Sequence, residues 1–292
     1  MYNLRYHVAS LVAVFLALTV GLLLGTVVAE RGTLDEGSRA MVEDLQRQFK
    51  ALQTENTRLS KDLGRAAAFG ADVAPALVAG RLQDLTVAVV VNAGRGNGLS
   101  ALVDVLEHAG AAPVVYTFEA SALGLGEAVP EGLPVLMGGG FTTQGPGPAS
   151  QAFIDAVAVR LAEEWSSAGS RPVTELFVRQ GLLSVRGDTE AKAADRCVSM
   201  SAFDGEPDAF ARAVMAAFDD AGRTAVAAEA STQATGVAAD AADAGLSAVD
   251  HVDTPQGAVS LVWLLSGEEV GYFGFGQGAK ASYPDVAAAA TE

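Results

Sequence analysis

Thr86–Asn92 (TVAVVVN), the loop Gly94-Arg95-Gly96-Asn97-Gly98 and Leu99–Ala109 (LSALVDVLEHA) decide the fold. A short, β-branched, uncharged run bounded by glycines predicts a strand buried on both faces. The segment after it has leucines and valines at helical spacing, and Pro113–Phe118 (PVVYTF) predicts a second strand. Strand, helix, strand in that order predicts a parallel pair, and so an α/β fold with a Rossmann-like, doubly wound sheet. Further along, Val135–Met137 reads as a third strand and Ala149–Glu164 as a helix. Strands are expected around Glu175–Arg179 and Leu182–Val185, then a helix over Pro207–Ala221 and a strand over Thr224–Ala230. Thr232–Gly245 reads as an Ala/Asp linker or helix, Ala258–Leu265 as a final strand, and Val270–Phe275 as a glycine-rich loop.

The N-terminal side of this domain is different in kind. Between Val8 and Ala29 no residue is charged, a run that spans roughly 30 Å of hydrocarbon as a helix. Its length favours a retained anchor, although Val27-Val28-Ala29 before Glu30 is tolerable as a signal-peptide cleavage site. Ala9, Ala13, Ala17, Gly21, Gly25 and Ala29 recur every fourth residue, and Gly21 to Gly25 is a G-x-x-x-G. Small residues so placed let two helices approach closely in lipid; the general abundance of Ala and Gly accounts for part of the same ladder. Arg5 marks one flank and Arg31, Arg39, Arg47 and Lys50 the other, so counting basic residues leaves the orientation open.

Beyond the span, a heptad runs from Val42 to Ala66. Its a positions are Val42, Phe49, Asn56 and Leu63, and its d positions are Leu45, Leu52, Leu59 and Ala66. Leu at d with a single Asn at a suits a parallel two-stranded coil, the Asn fixing register. The plainer alternative is an amphipathic helix packed on its own domain. Gly64, Gly70 and Pro75 are expected to end the rod. The expected division is therefore a transmembrane anchor over 1–30, a coiled-coil stalk over 31–70 and an α/β domain over 71–292. The dimer interface would comprise Gly21, Gly25, Val42, Leu45, Phe49, Leu52, Asn56, Leu59 and Leu63.

Composition narrows the function. A formal charge of −16 over 292 residues argues against nucleic acid, which requires a clustered basic surface. One cysteine, Cys197, excludes an internal disulfide and every Cys-Cys zinc pattern. The loop Gly94–Gly98 occupies the place of a dinucleotide fingerprint, with Glu119 near the distance of a ribose-binding acid. Its G-x-G-x-G spacing lacks the third fingerprint glycine, which leaves a plain βα turn as the other reading. Of the histidines His7, His108 and His251, only His251 has adjacent carboxylates, Asp250 and Asp253, and no G-x-S-x-G accompanies it. The alternative is that these carboxylates cap nearby backbone N–H groups. Cys197 and Met200 form one local pair of soft donors of the kind Cu(I) prefers; as core residues they would carry no metal.

The opening run LRYHVASLVAVFLALTVGLLLG (residues 4–25) and the tail motifs VDHVDTPQGAVSLVWLL (249–265), GYFGFGQGA (271–279) and Tyr283-Pro284 resemble the actinobacterial copper transporter B (MctB) family. The chain departs from it at Gly271-Tyr272-Phe273-Gly274, a segment in which family members often carry a His. The resemblance implies a single-pass protein of the cytoplasmic membrane with its C-terminal domain extracytoplasmic, in an actinobacterial envelope. It also implies a role in copper transport or homeostasis. A septation branch of the resemblance, the SteB-like proteins, implies instead a scaffold of cell-wall remodelling that binds a SteA-like partner. One span cannot line a pore unaided. The expectation is thus a non-enzymatic, membrane-anchored envelope protein, homodimeric through span and stalk. No resident cofactor is expected; copper is carried as the one candidate ligand.

Overall fold

The computed structural model describes residues 4–94, 98–141, 145, 147–187, 192–232 and 235–286, with the backbone alone at 4–9 and 28–40. The chain divides into two units, Met1–Ala66 and Ala67–Glu292. Helix α1 (Leu4–Val78) makes up the first unit and contributes its last turns to the second.

In the second unit the chain runs β1 (Thr86–Asn92), α2 (Leu99–His108), β2 (Ala112–Phe118), α3 (Leu133–Met137), α4 (Gln151–Ser166), α5 (Pro172–Arg179), β3 (Leu183–Arg186) and β4 (Arg196–Ser199). It continues through the small hairpin β5 (Ala202–Phe203) and β6 (Glu206–Pro207), then α6 (Ala209–Asp220), β7 (Ala225–Ala228), α7 (Val237–Asp243), β8 (Ser247–Val249), α8 (Pro255–Ser266) and β9 (Tyr272–Phe273). Seven strands form one sheet in the order β3-β2-β1-β4-β7-β8-β9. All neighbours are parallel except the edge strand β3, which runs antiparallel to β2. The molecule is a mixed α/β protein.

Alternation along the strands feeds two cores. Ala88, Val90, Val114, Tyr116, Cys197, Ala225 and Ala227 face α4, α5, α6 and α7. Val87, Val89, Val91, Val198, Val226 and Val249 face α2, α8 and the end of α1. Because both faces are covered, β1 is buried at all seven positions, which is why it reads as an unbroken apolar run. Trp165 of α4 lies flat on Tyr116 of β2, with ring centroids 3.9 Å apart, and its Nε1 donates to Thr174 Oγ1 of α5 at 3.0 Å.

Five sequence expectations fail here, each for a local reason. Val270–Phe275 is not all loop: Tyr272–Phe273 pairs with Ala248–Val249 as β9, because the neighbouring strand supplies its hydrogen bonds. Val135–Met137 belongs to α3, not to a strand: Gly132 is left-handed before it and Pro134 occupies the first turn, where its missing N–H costs nothing. Glu175–Arg179 is also helical, in α5. Pro172 starts that helix, and Glu164 accepts from Val173 N and Thr174 N, both at 2.9 Å. Ala258–Leu265 lies in α8, which Thr254 caps at Gly257 N, Pro255 begins and the left-handed Gly267 ends. Nearly every residue there is buried, so the helical period is lost and a short apolar run is indistinguishable from a strand. Finally, Gly64, Gly70 and Pro75 do not stop α1. It ends at Val78, just before the left-handed Gly80. Gly70 instead gives a close approach, since a Cβ there would lie 3.0 Å from Pro255 Cβ.

Candidate functional site

All parallel strands end on one edge of the sheet, where open α/β sheets place their ligands. At that edge β7 delivers Glu229, β8 delivers Asp250 and His251, and β9 runs into Gly274-Phe275-Gly276. Asp250 is the hub. Its Oδ2 accepts from Tyr272 Oη at 2.6 Å and Gly276 N at 2.7 Å, and its Oδ1 accepts from Phe275 N at 2.8 Å. His251 Nδ1 lies 2.6 Å from the same Oδ1; the tautomer that donates there leaves Nε2 as the ring's acceptor. Burial pushes the Asp250 carboxyl up, but the hydrogen bonds from Tyr272, Phe275, Gly276 and His251 outweigh it and hold the group below the usual carboxylate range. Burial and the Asp250 contact push the Tyr272 hydroxyl far up, so it stays a donor.

The glycines of this segment are required by that carboxylate. A Cβ on Gly274 would sit 2.0 Å from Asp250 Oδ1, and one on Gly276 would sit 2.1 Å from Tyr272 Oη. Gly257, at the start of α8, likewise has no room, with His251 O 2.1 Å from its would-be Cβ. Neighbouring acids are used in the same way. Asp253 accepts from Ser231 N and Oγ, each at 2.7 Å. Glu229 accepts from Thr235 N, Gly236 N and Ala238 N, capping α7. The capping reading of these carboxylates is the one realised. Ser231 Oγ donates to Asp253 and Thr254 Oγ1 to His251 O, so among the described residues no hydroxyl is hydrogen-bonded to the His251 ring. Tyr272 and Glu229 were not singled out by sequence; the repeated Gly-x-Gly opposite an acid was the available signal.

The remaining sequence candidates are separated by the fold. Cys197 is fully buried in the core that faces α4–α7, whereas Met200 lies in the opposite core. The soft pair therefore does not converge, and burial pushes the Cys197 thiol far up, away from the thiolate a metal needs. Among the described residues no three His, Cys, Asp or Glu side chains form a metal-holding group. Arg95, Gly96 and Asn97 of the glycine loop lie outside the described residues. Of its flanks, Gly98 is left-handed, and a Cβ there would meet Ala230 Cβ at 2.8 Å and Met200 Cε at 3.3 Å. Glu119 is exposed and binds Leu182 O through its backbone N–H.

The stalk residues occupy one uninterrupted helix. Val42, Leu45, Phe49, Leu52, Leu59 and Leu63 are between 48% and 71% exposed. Asn56 is exposed on the same stretch and lies 3.4 Å from Ser60 Oγ through its Oδ1. No atom lies within 4 Å of a Cβ built on Gly21 or Gly25. Ser10–Val27 is long and apolar enough to cross a membrane and is wholly unburied.

These features define a class: a protein with one N-terminal helix fit to span a bilayer, continuing into a mixed α/β domain. The chain belongs to the family described as "Copper transport outer membrane protein, MctB", whose model matches residues 1–284. No curated protein and no solved structure matches it.

Proposed function

We propose that this is a non-enzymatic, membrane-anchored envelope protein of copper homeostasis that works as a parallel homodimer, its doubly wound, Rossmann-like domain carried on a coiled-coil stalk. The observation that carries the reading is the bare heptad stripe from Val42 to Leu63 on a helix continuous with the apolar span. Exposed leucines at a and d have no reason to persist on a single helix, and pairing two copies buries them. Copper enters through the family description alone. The domain sits outside the cytoplasmic membrane and acts on copper handling through partners, since one helix gives no lined pore. The filled space around Gly98 and the use of Glu229, Asp250 and Asp253 to bind backbone N–H groups support a non-catalytic domain.

The small number of spans also favours a second reading, a dimeric scaffold of septation and cell-wall remodelling that holds a SteA-like protein. One experiment separates the two. Deletion cells are complemented with wild type or with Leu52→Pro and assayed for copper tolerance and septum placement. The copper reading expects lost tolerance with normal septa, and the scaffold reading expects the reverse. Wild-type behaviour of Leu52→Pro in both assays would contradict the stalk-based proposal itself.

A further inference from the structure

Away from the Asp250 site, a cavity of about 400 Å³ opens between α5 and β3, lined by Tyr116, Arg171, Thr174, Val178, Arg179 and Val185 together with Gly169 and the carboxylate-bearing Glu175. A cavity of that size accommodates a small organic molecule. Its chemistry is unusual for a chain of net charge −16, because two guanidinium groups line it. Arg171 is only 9% exposed, yet among the described residues no carboxylate lies within ion-pair distance of it. Its Nη1 donates to Tyr116 Oη at 3.0 Å and its Nη2 to Lys192 O at 2.8 Å, while the buried Nε has no partner among the described residues. A buried guanidinium satisfied by neutral acceptors alone is costly, and an incoming anion offsets that cost.

The other lining groups fit the same kind of ligand. Tyr116 is held protonated, its hydroxyl pushed up to about 12 chiefly by burial. Having accepted from Arg171, it retains one O–H to donate. Glu164, the buried acid nearest in sequence, is occupied by Val173 N, Thr174 N and Thr174 Oγ1. Arg179 meets Glu175 at 4.0 Å with both side chains about two-thirds exposed, so it is loosely held and can turn to a ligand. Val178 and Val185 form an apolar wall beside these donors.

We propose that this cavity binds an organic carboxylate, its anionic end on Arg171, Tyr116 and Arg179 and its aliphatic body against Val178 and Val185. The carboxylate belongs either to a free small acid or to the end of a peptide. The site is independent of the stalk and of copper, so it stands or falls apart from the reading above.

The test is calorimetric titration of the full chain in nanodiscs with N-acetyl-leucine, with N-acetyl-leucinamide as the uncharged control, and with an Ala-Ala-Ala-Leu tetrapeptide. Saturable binding of the acid and not the amide is expected. Arg179→Glu should weaken it at least tenfold and Tyr116→Phe severalfold, with melting temperatures near wild type. Arg171→Gln should abolish it, and if that variant does not fold the other two carry the test. Tighter binding of the tetrapeptide assigns the site to chain ends; tighter binding of N-acetyl-leucine assigns it to free acids. No saturable binding of either acid, or equal binding of the amide, overturns the proposal. It is equally overturned if binding appears only in Asp188→Asn/Glu190→Gln, for then the chain's own carboxylates balance Arg171.

Discussion

At Gly274 the backbone adopts φ 144°, and its missing Cβ leaves the space that Asp250 Oδ1 fills. Gly274→Ala should therefore cost about 3–5 kcal/mol, at the severe end for one methyl group, measured by urea unfolding of the full chain in detergent. Asp250 sets a pH signature as well. Its folded-state carboxyl is held low, so its stabilisation is complete above the unfolded value of about 3.9. That stabilisation is lost as pH falls through the lower folded-state value. Asp250→Asn should flatten this acid limb of a stability–pH profile. Asp208, whose carboxyl burial pushes up despite bonds from Ser201 Oγ and Phe210 N, works with the opposite sign: its contribution declines as pH rises from the unfolded value through the folded one. A steeper acid limb in Asp250→Asn than in wild type would contradict the assignment. Cys197 and Met200, in opposite cores, should be irrelevant to metal. Cys197→Ser/Met200→Leu is expected to lose about 1–3 kcal/mol, from a hydroxyl left unsatisfied in an apolar core. Cu(I) retention by the membrane-embedded protein should match wild type; a large loss at normal expression would show that the pair is used.

At the scale of elements, α1 carries the clearest prediction. Leu52→Pro removes one helical hydrogen bond and clashes with the preceding turn, about 3 kcal/mol in an exposed helix, and far-UV circular dichroism of the full chain should report lost helicity. The second unit should keep its melting transition, because Leu52 lies outside it. A lowered melting transition there would mean that the stalk supports the domain's fold. What sequence could read follows the same line. Thr86–Asn92, Pro113–Phe118, Ala149–Glu164 and Pro207–Ala221 were legible, the first two as short β-branched runs and the last two by length and helical spacing after a proline. Ala258–Leu265 was not, since burial on all sides erased the period that separates helix from strand. Nor were β4 and β8, four and three residues long; they exist because neighbouring strands supply their hydrogen bonds, which composition does not show. At the candidate site, the acids around His251 were visible as caps. The convergence of Asp250 with Tyr272, more than twenty residues on, needed the pairing of β8 with β9. Arg171 gave no sequence signal, because its meaning lies in the neutral acceptors, Tyr116 Oη and Lys192 O, that the fold brings to it.

Over the whole molecule, the proposed reading gives separate tasks, anchoring, pairing and recognition, to the uncharged span, the exposed heptad and the α/β domain. Membership of the copper-transport family gives the context, while one helix long and apolar enough to cross a membrane among the described residues makes partners, and not a pore, the proposed route to function. The account depends most on pairing, and single cysteines test it. In a Cys197→Ser background, Leu52→Cys and Leu59→Cys at d positions, and Thr54→Cys on the outer face, are oxidised in native membranes. Two parallel helices in register bring each d residue against its own copy. The account predicts disulfide-linked dimers from positions 52 and 59 and little from 54. Equal or absent cross-linking at all three positions would contradict it.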